Sequence, residues 1–424
     1  MSPKNVFRLP SSALGLSRNV RNLGWVSLFN DVSSEMIYPL LPLFLTQVLG
    51  AGVIFVGLIE GIAESISSFL KLLSGWFSDR FQKRKQIILL GYSLASITRP
   101  LMALATSSLH VLLLRSADRV GKGIRSSPRD ALLSQSCSPD ERGKAFGFQR
   151  AMDHAGAMTG PLIASLLLIT TTQDLRLIFF LAFIPACFCV WILFRGVTDA
   201  PGNRTSATSP FKLHWKGWDK RFKFFLLIVT LFTLGNSSDA FLLLRANDLG
   251  VPNSAIPILW FFLHLSKTIF SIPGGMLSDR LGRRGVIILG WLIYSFVYVG
   301  FAFASEAYHI WLLFFAYGLF FGLAEGTERA WVADLVEESK RGTAYGAYYF
   351  FIGIATLPSS VAMGLIWKTL GPVWAFSFGA ALALAAALLV IILMGRKEET
   401  GQRLPHFCRR VFLPPPGRRQ RESR

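Results

Sequence analysis

Long apolar runs recur along the chain, each bounded by a short polar segment. A bilayer core takes about 20 apolar residues per helix, and the runs have this length. They are too long and too continuous for barrel strands, so we predict helices that satisfy their own backbone hydrogen bonds in lipid. The predicted spans are residues 23–49, 53–77, 87–106, 109–135, 146–170, 176–196, 223–247, 254–277, 285–304, 309–334, 343–367 and 372–395. The pattern therefore predicts an all-α membrane protein with twelve transmembrane helices.

The basic residues are concentrated on one side of these spans. The composition, 52% hydrophobic and 16% charged residues, is typical of a membrane protein, whereas the net charge of +19 is also found in nucleic-acid-binding proteins. One set of connections carries few bases, with Arg176 and Lys368 as the clear cases. The bases crowd the amino tail, residues 78–86, residues 195–223, residues 278–284 and the carboxyl tail. This asymmetry predicts a plasma (inner) membrane protein with both termini cytoplasmic and no nucleic-acid partner.

Polar segments divide the chain into five parts. We assign a cytoplasmic amino tail (1–22), a six-helix bundle (23–196), a cytoplasmic linker (197–222), a second six-helix bundle (223–395) and a basic, proline-rich cytoplasmic tail (396–424). The four cysteines lack metal-ligand spacing, so we expect neither a metal site nor a cofactor.

The two bundles share an internal duplication. The repeated motifs are GWFSDRFQKRK at 75–85 and GMLSDRLGRRG at 275–285, RGKAFG at 142–147 and RGTAYG at 341–346, and SSE at 33–35 and SSD at 237–239. Six helices repeated in the same order give two pseudo-symmetric bundles related by an axis along the membrane normal. Transporters built in this way bind their substrate between the halves, near the midplane.

The repeated G-x-x-x-S-D-R-x-x-x-R loops resemble the cytoplasmic signature loop of the major facilitator superfamily. The first copy departs from the family pattern at Gln82, where the second copy has Gly282. The resemblance implies a twelve-helix carrier fold. Candidate gating residues are Gly75, Asp79, Arg80, Arg84, Asp130, Gly275, Asp279, Arg280, Arg284 and Asp334. We expect their carboxylates to hold helix ends together, with Asp130 and Asp334 as partners of Arg84 and Arg284.

The fourth predicted span is unusually charged. Five bases spaced by three or four residues form one helix face, namely Arg115, Arg119, Lys122, Arg125 and Arg129. Each arginine at the bilayer centre costs roughly 2.5 to 3.5 kcal/mol, so this face cannot meet lipid. Counting residues from the membrane surface predicts an interhelical ladder of Glu60 with Arg115, Glu64 with Arg119, Glu35 with Lys122, and Asp31 with Arg125 or Arg129.

Two further segments resemble family motifs. RVGKGIRSS resembles the superfamily's fourth-helix motif, which implies a coupling role for Arg119 and a packing role for Gly123. Arg125 stands where a small residue is usual, which favours an anionic or carboxylate-bearing solute. GAMTGPLIAS resembles part of the fifth-helix motif of drug and proton antiporters, with Gly156, Gly160 and Pro161 as the helix-packing residues. This second resemblance implies efflux.

The predicted function is proton-coupled transport of a small organic solute by alternating access. Asp239 is the repeat partner of Glu35, and these two acids are the leading protonation candidates. The candidate solute and proton pathway comprises Asp31, Glu35, Glu64, Arg119, Lys122, Arg125, Asp239, Arg245 and Glu325. We expect a monomer.

Other functions remain open at this point. The first alternative is a facilitator or importer of an anionic metabolite or metal-chelating compound, and the second is a non-transporting membrane sensor. We expect no enzymatic activity, since the chain shows no nucleophile–base set and GKGIRSS lacks the spacing of a phosphate-binding loop.

Overall fold

A computed structural model of the protein describes residues 16–81, 84–137, 142–170, 174–199, 218–337 and 341–394. The helices are α1 (Arg18–Ile37), α2 (Val53–Phe81), α3 (Arg84–Ala103), α4 (Ser108–Gln135), α5 (Arg142–Thr170), α6 (Leu175–Leu181 and Phe183–Gly196), α7 (Lys220–Gly235 and Ala240–Asp248), α8 (Ile256–Leu281), α9 (Arg283–Phe303), α10 (Ala307–Asp334), α11 (Arg341–Leu370) and α12 (Pro372–Leu393). Each predicted span corresponds to one of them, which confirms the all-α fold. Residues 1–15 of the amino tail, 200–217 of the linker and the whole tail 396–424 lie outside the described residues.

Nine of the helical units in this described part are long and apolar enough to cross a membrane. The charged helix α4 is not among the nine, because charges interrupt its apolar sequence. Its Arg115, Asp118, Arg119 and Arg125 are buried inside the protein. The predicted charged face therefore turns away from the position of lipid, as the desolvation cost requires.

The first predicted span is regularly α-helical only as far as Ile37. Beyond Ile37 it continues as a 3₁₀ turn over Tyr38–Leu40, a short α-helical turn and a π-helical turn over Phe44–Val48. Pro39 and Pro42 have no backbone N–H to donate, which breaks the regular bonding of this stretch.

Helix α7 is broken at its middle, although the sequence pattern predicts one continuous span. It ends at Gly235 and resumes at Ala240. The backbone N–H of Asn236 caps the first segment, and the side-chain oxygen of Ser238 accepts from the backbone N–H of Ala240 at 3.3 Å. Such short polar side chains compete with the helix for backbone groups. The break places Asp239 at the start of the second segment.

The two halves meet at one end of the bundle. We call the end where α1 begins and α12 ends the basic side, and the opposite end the far side. At the far side Asn253 donates to Gln47 at 2.8 Å, and Ser165 donates to the carbonyl of Ser254 at 2.7 Å. Toward the basic side the halves enclose a cavity. The structure is thus closed at the far side.

Small residues let α2 and α11 pack closely across the halves. A Cβ atom at Gly57 would overlap the backbone carbonyl of Ser360, and one at Gly61 would lie 3.0 Å from the Cα of Leu357. Side chains larger than glycine at these positions would therefore force the two helices apart.

Arg115 of α4 and Glu60 of α2 form a buried ion pair. Two guanidinium nitrogens donate to the two carboxylate oxygens at 3.0 Å each. Both side chains are under 5% exposed. This two-pronged geometry confirms the predicted pair and fixes α4 against α2.

We expect Gly57→Ala to weaken the far-side closure. Overpacking against a backbone oxygen costs about 1–3 kcal/mol, so the ratio of closed to open molecules should fall roughly fivefold or more. The measurement is the distance distribution between spin labels attached at Gly52→Cys and Leu370→Cys in a protein whose native cysteines are replaced. These two positions belong to opposite halves and have open space around them. Gly147→Ala is the control, because a Cβ atom there meets nothing within 4 Å. An unchanged distribution in Gly57→Ala would contradict the packing argument.

Glu60→Gln should destabilise the protein because it leaves the Arg115 charge without its main partner. Breaking a buried pair costs about 3 kcal/mol, seen as a lower midpoint of thermal unfolding in detergent. The control is Arg150→Gln, which removes the pair between the exposed Arg150 side chain and Asp153 and should cost under about 1 kcal/mol. Adding Arg115→Gln to Glu60→Gln should restore part of the loss. Equal midpoints for Glu60→Gln and Arg150→Gln would show that the buried pair is dispensable.

Candidate functional site

A cavity of about 1060 Å³ lies between the halves. Nine lysine and arginine residues and seven aspartate and glutamate residues line it. The charged lining residues are Asp31, Glu35, Lys71, Arg99, Asp118, Arg119, Lys122, Arg125, Arg129, Asp130, Arg150, Asp153, Asp239, Lys267, Glu325 and Arg329. Charge at this density within membrane-length helices is typical of a solute or ion pathway.

Asp118 is the centre of an arginine network in the first half. Its carboxylate lies 3.4 Å from Arg99, 3.8 Å from Arg115 and 3.7 Å from Arg119. Arg119 also pairs with Glu64 at 3.1 Å, which confirms the second predicted step of the ladder. Neither Arg99 nor Asp118 was predicted from the sequence to be part of the site. Arg99 could have been recognised in the sequence as a single arginine inside an apolar span.

Glu35 and Lys122 do not pair, so the third predicted step is wrong. The carboxylate of Glu35 accepts from the indole N–H of Trp260 at 2.7 Å. Trp260 lies on α8, so this bond joins the two halves inside the cavity. Counting residues gave the depth of Glu35 but not the direction in which it points.

Asp31 does not pair with Arg125 or Arg129 either, because Asn30 lies between Asp31 and Arg125, and Arg129 pairs with Asp130. The Asn30 amide donates to Asp31 at 2.7 Å, while its oxygen accepts from Arg125 at 3.3 Å. Arg125 also lies over the ring of Tyr92, with 4.3 Å from the guanidinium carbon to the ring centroid. The neutral Asn30 amide therefore hydrogen-bonds to both Asp31 and Arg125, which form no ion pair with each other.

The pathway residues of the second half are divided between two places. Asp239 lines the cavity at the break in α7, and its carboxylate accepts from the Tyr317 hydroxyl at 2.7 Å. Glu325 lines the cavity and pairs with Arg329. Arg245 instead lies near the far side, where it donates to the carbonyls of Phe301 and Ala304 at the end of α9. Arg245 is thus a helix cap and not a lining residue.

The cavity acids fall into two classes. Asp118, Asp130, Asp153 and Glu325 each pair with an arginine. Among the described residues, Asp31, Glu35 and Asp239 have no cationic nitrogen within 4.0 Å and accept from neutral donors. The second class can gain a proton without breaking an ion pair.

The cavity bases divide in the same way. Lys71 and Lys122 make no ion pair within the described residues, and both are half-buried. Lys267 also lacks a carboxylate partner there, and its ammonium lies 3.5 Å from the centroid of the Phe321 ring. The sequence analysis gave no role to Lys71 or Lys267.

His264 is a further cavity residue that sequence reasoning missed. Neither ring nitrogen has a hydrogen-bond partner among the described residues. Its ring lies edge-on to Trp260, with 5.3 Å between the centroids. A histidine in an apolar span was a weak signal, since most such residues only fill space.

The gating residues at the basic side pair differently from the prediction. Arg283 contacts Asp279 at 2.6 Å and Asp334 at 3.2 Å, whereas Arg284 donates to the carbonyl of Ile391 at 2.8 Å. The predicted Asp334–Arg284 pair is therefore wrong by one residue. Gly282, with φ of +83°, sets the turn between α8 and α9 and thereby decides which arginine faces α10.

In the first half, Asp130 pairs at 3.0 Å with its neighbour Arg129 and not with Arg84. For Gly75, Asp79 and Arg80 the structure describes only the helical backbone, as part of α2. In the second repeat Gly275 has open space around its Cα, and Arg280 lies in the last turn of α8.

The helix-packing residues of α5 lie where α1 approaches closely. Cβ atoms at Gly156 and Gly160 would lie 2.5 Å and 2.6 Å from the carbonyl oxygens of Leu28 and Val32. Pro161 follows inside the helix. The close approach expected from the small-residue spacing is confirmed.

Comparisons with known proteins agree with this architecture. The family model described as Major Facilitator Superfamily matches residues 23–263 and 224–416. An uncharacterized MFS-type transporter of Methanocaldococcus jannaschii is 38% identical over 384 residues, which cover 89% of this chain and 95% of the relative. The multidrug resistance protein MdtH of Proteus mirabilis is 26% identical over 322 residues, 73% of this chain and 77% of that protein.

Solved structures share the fold at low sequence identity. The crystal structure of the nucleoside transporter NupG has a TM-score of 0.74 and 14% identity, and the match covers 89% of this chain and 99% of that chain. A bacterial homologue of the human lysosomal transporter Spinster, inward-facing and occupied, has a TM-score of 0.69 and 15% identity over 88% of this chain and 94% of its own. The chain belongs to the Major Facilitator Superfamily and is a multi-pass membrane transporter.

Proposed function

We propose that the protein is a proton-coupled carrier that exports a small organic solute across the plasma (inner) membrane, with both termini cytoplasmic. The basic side is then the cytoplasmic side, and the cavity is the solute site of an inward-facing state. The similarity to the multidrug resistance protein MdtH supports the export direction.

The bond between Trp260 and Glu35 is the observation that carries this proposal. The indole N–H can only donate, and it donates at 2.7 Å to a carboxylate of the other half. A hydrogen bond to an ionised acceptor is about twice as strong as one to a neutral acceptor. Protonation of Glu35 therefore weakens a contact between the halves and changes the free-energy difference between the two states of the carrier.

An exchange cycle follows from this linkage. With Glu35 ionised, the far side is closed and the solute enters the cavity from the cytoplasm. In the far-side-open state, Glu35 takes a proton from outside as the solute leaves. The proton is released to the cytoplasm when the far side closes again. One proton moves inward for each outward movement of solute through this residue.

Asp239 is the second proton acceptor in this proposal. It occupies the repeat position equivalent to Glu35 and also accepts from a neutral donor, Tyr317. The break in α7 leaves the backbone around Asp239 free to change its bonding. Asp239 belongs to the second half, whereas Glu35 belongs to the half that holds the arginine network.

The first test measures proton coupling directly. Proteoliposomes are given an imposed pH gradient, and the initial fluxes of an organic anion, carboxyfluorescein, and an organic cation, ethidium, are compared. We expect the gradient to accelerate the transported dye, and Glu35→Gln to remove at least about nine-tenths of that acceleration, as expected for loss of an essential proton acceptor. Glu306→Gln changes an exposed far-side acid and is the control. A flux that is independent of pH in the unmodified protein would favour the facilitator alternative.

The second test needs no solute. With spin labels at Gly52→Cys and Leu370→Cys, the fraction of far-side-closed molecules should rise as pH is raised through the range in which carboxylates ionise. The sign follows from the stronger bond that Trp260 makes to ionised Glu35. Glu35→Gln should flatten this dependence, and Glu306→Gln should keep it. Retention of the full pH dependence in Glu35→Gln would exclude Glu35 as the coupling residue.

A further inference from the structure

The cavity of the proposed carrier contains basic residues that form no ion pair with an acid among the described residues. Its arginines supply the partners of the paired carboxylates, whereas Lys71, Lys122 and Lys267 have no carboxylate within 4.0 Å among the described residues. We propose that the transported solute is an organic anion whose carboxylate or phosphate group binds between Lys71 and Lys122. This inference rests on the proposed carrier function and names the substrate class of the same site.

The backbone places Lys71 and Lys122 side by side. Helices α2 and α4 cross closely at Gly123, where a Cβ atom would lie 2.5 Å from the Cβ of Leu70. Ser74 donates to the carbonyl of Gly123 at 2.8 Å, and Ser127 donates to the carbonyl of Lys71 at 2.8 Å. These bonds fix the two helices at the level of the lysines. Both side chains face the cavity from one wall.

Arg125 gives a second, independent sign of an anion site. It lines the same wall and is 6% exposed, yet its Nη1 atom has no partner among the described residues. Its Nη2 atom donates to the neutral Asn30 at 3.3 Å. A buried charge without an opposite charge is costly, and a bound anion removes that cost. The two oxygens of a carboxylate or phosphate suit a guanidinium flanked by ammonium groups.

Lysine is the appropriate base for a solute that must also leave. An ammonium on a flexible stem acts as a point charge and does not hold an anion in one fixed geometry. Lys267 extends this argument to the other half. Its ammonium lies on the face of Phe321, with no stronger partner among the described residues, and can exchange this contact for a bound anion. An anion that contacts Lys122 and Lys267 together would draw the halves toward each other on the basic side.

Thermal unfolding of the purified protein in detergent tests the proposal. The probes are benzoate and phenyl phosphate, with neutral benzamide and cationic benzylamine as matched controls at constant ionic strength. We expect the midpoint to rise with the concentration of at least one anion, because a ligand that binds only the folded state stabilises it. The two anions distinguish carboxylate from phosphate recognition. Benzamide and benzylamine should give no comparable shift.

Substitutions locate the site. Lys71→Gln and Lys122→Gln should each remove at least half of the anion-dependent shift, and Lys122→Arg should retain it. Lys368→Gln changes an exposed lysine remote from the cavity and should respond as the unmodified protein does. The proposal is overturned by equal shifts with benzamide or benzylamine, by the absence of any anion-dependent shift, or by an undiminished shift in both glutamine variants. The unfolding measurement uses no pH gradient and no flux, so failure of proton coupling in the flux test and failure of anion binding here are separate results.

Discussion

Charge inside membrane-length helices must either be paired within the protein or face a cavity, and this constraint organises the first half. Helix α4 carries five bases on one face, and their burial would oppose insertion if they were unpaired. Glu60 and Glu64 of α2, and Asp118 of α4 itself, supply the compensating charges. Because arginine binds a carboxylate with a planar fork, the pairs of Glu60 and Glu64 also orient α2 against α4, and Asp118 contacts Arg99 of α3. The pairs that make the helices compatible with lipid therefore also hold α2, α3 and α4 together.

The same pairing separates the structural charges from those that can respond to a solute or a proton. A carboxylate in a close arginine pair keeps its charge through a transport cycle, since protonation would leave the arginine buried and unpaired. The cavity acids held by neutral donors are free of this restriction, and Lys71, Lys122 and Lys267 have no carboxylate within 4.0 Å among the described residues. The proposals for proton exchange and solute binding therefore concern the cavity residues that form no ion pair within the described part of the chain. Both assignments follow from one observation about which groups are matched within the described residues.

The sequence predicted the ion pairs for which depth in the membrane alone was sufficient information. Depth along the membrane normal predicted Glu60–Arg115 and Glu64–Arg119, because α2 and α4 are neighbours along their length. It failed for Glu35, because α1 packs against α5 and α6 and depth does not give the direction of a side chain. Local backbone geometry limited the other predictions. The break in α7 depends on capping bonds, and the choice of Arg283 over Arg284 depends on the positive φ of Gly282.

The two halves share one fold but differ in chemistry. The core of the second half is aromatic: the rings of Tyr294 and Tyr298 stack with centroids 4.2 Å apart, and Phe232 stacks on Trp291 at 4.6 Å. The arginine network lies within the first half and need not be broken when the halves rock. The hydrogen bond from the Trp260 indole to the Glu35 carboxylate does cross between them, and its strength depends on whether the acid carries a proton.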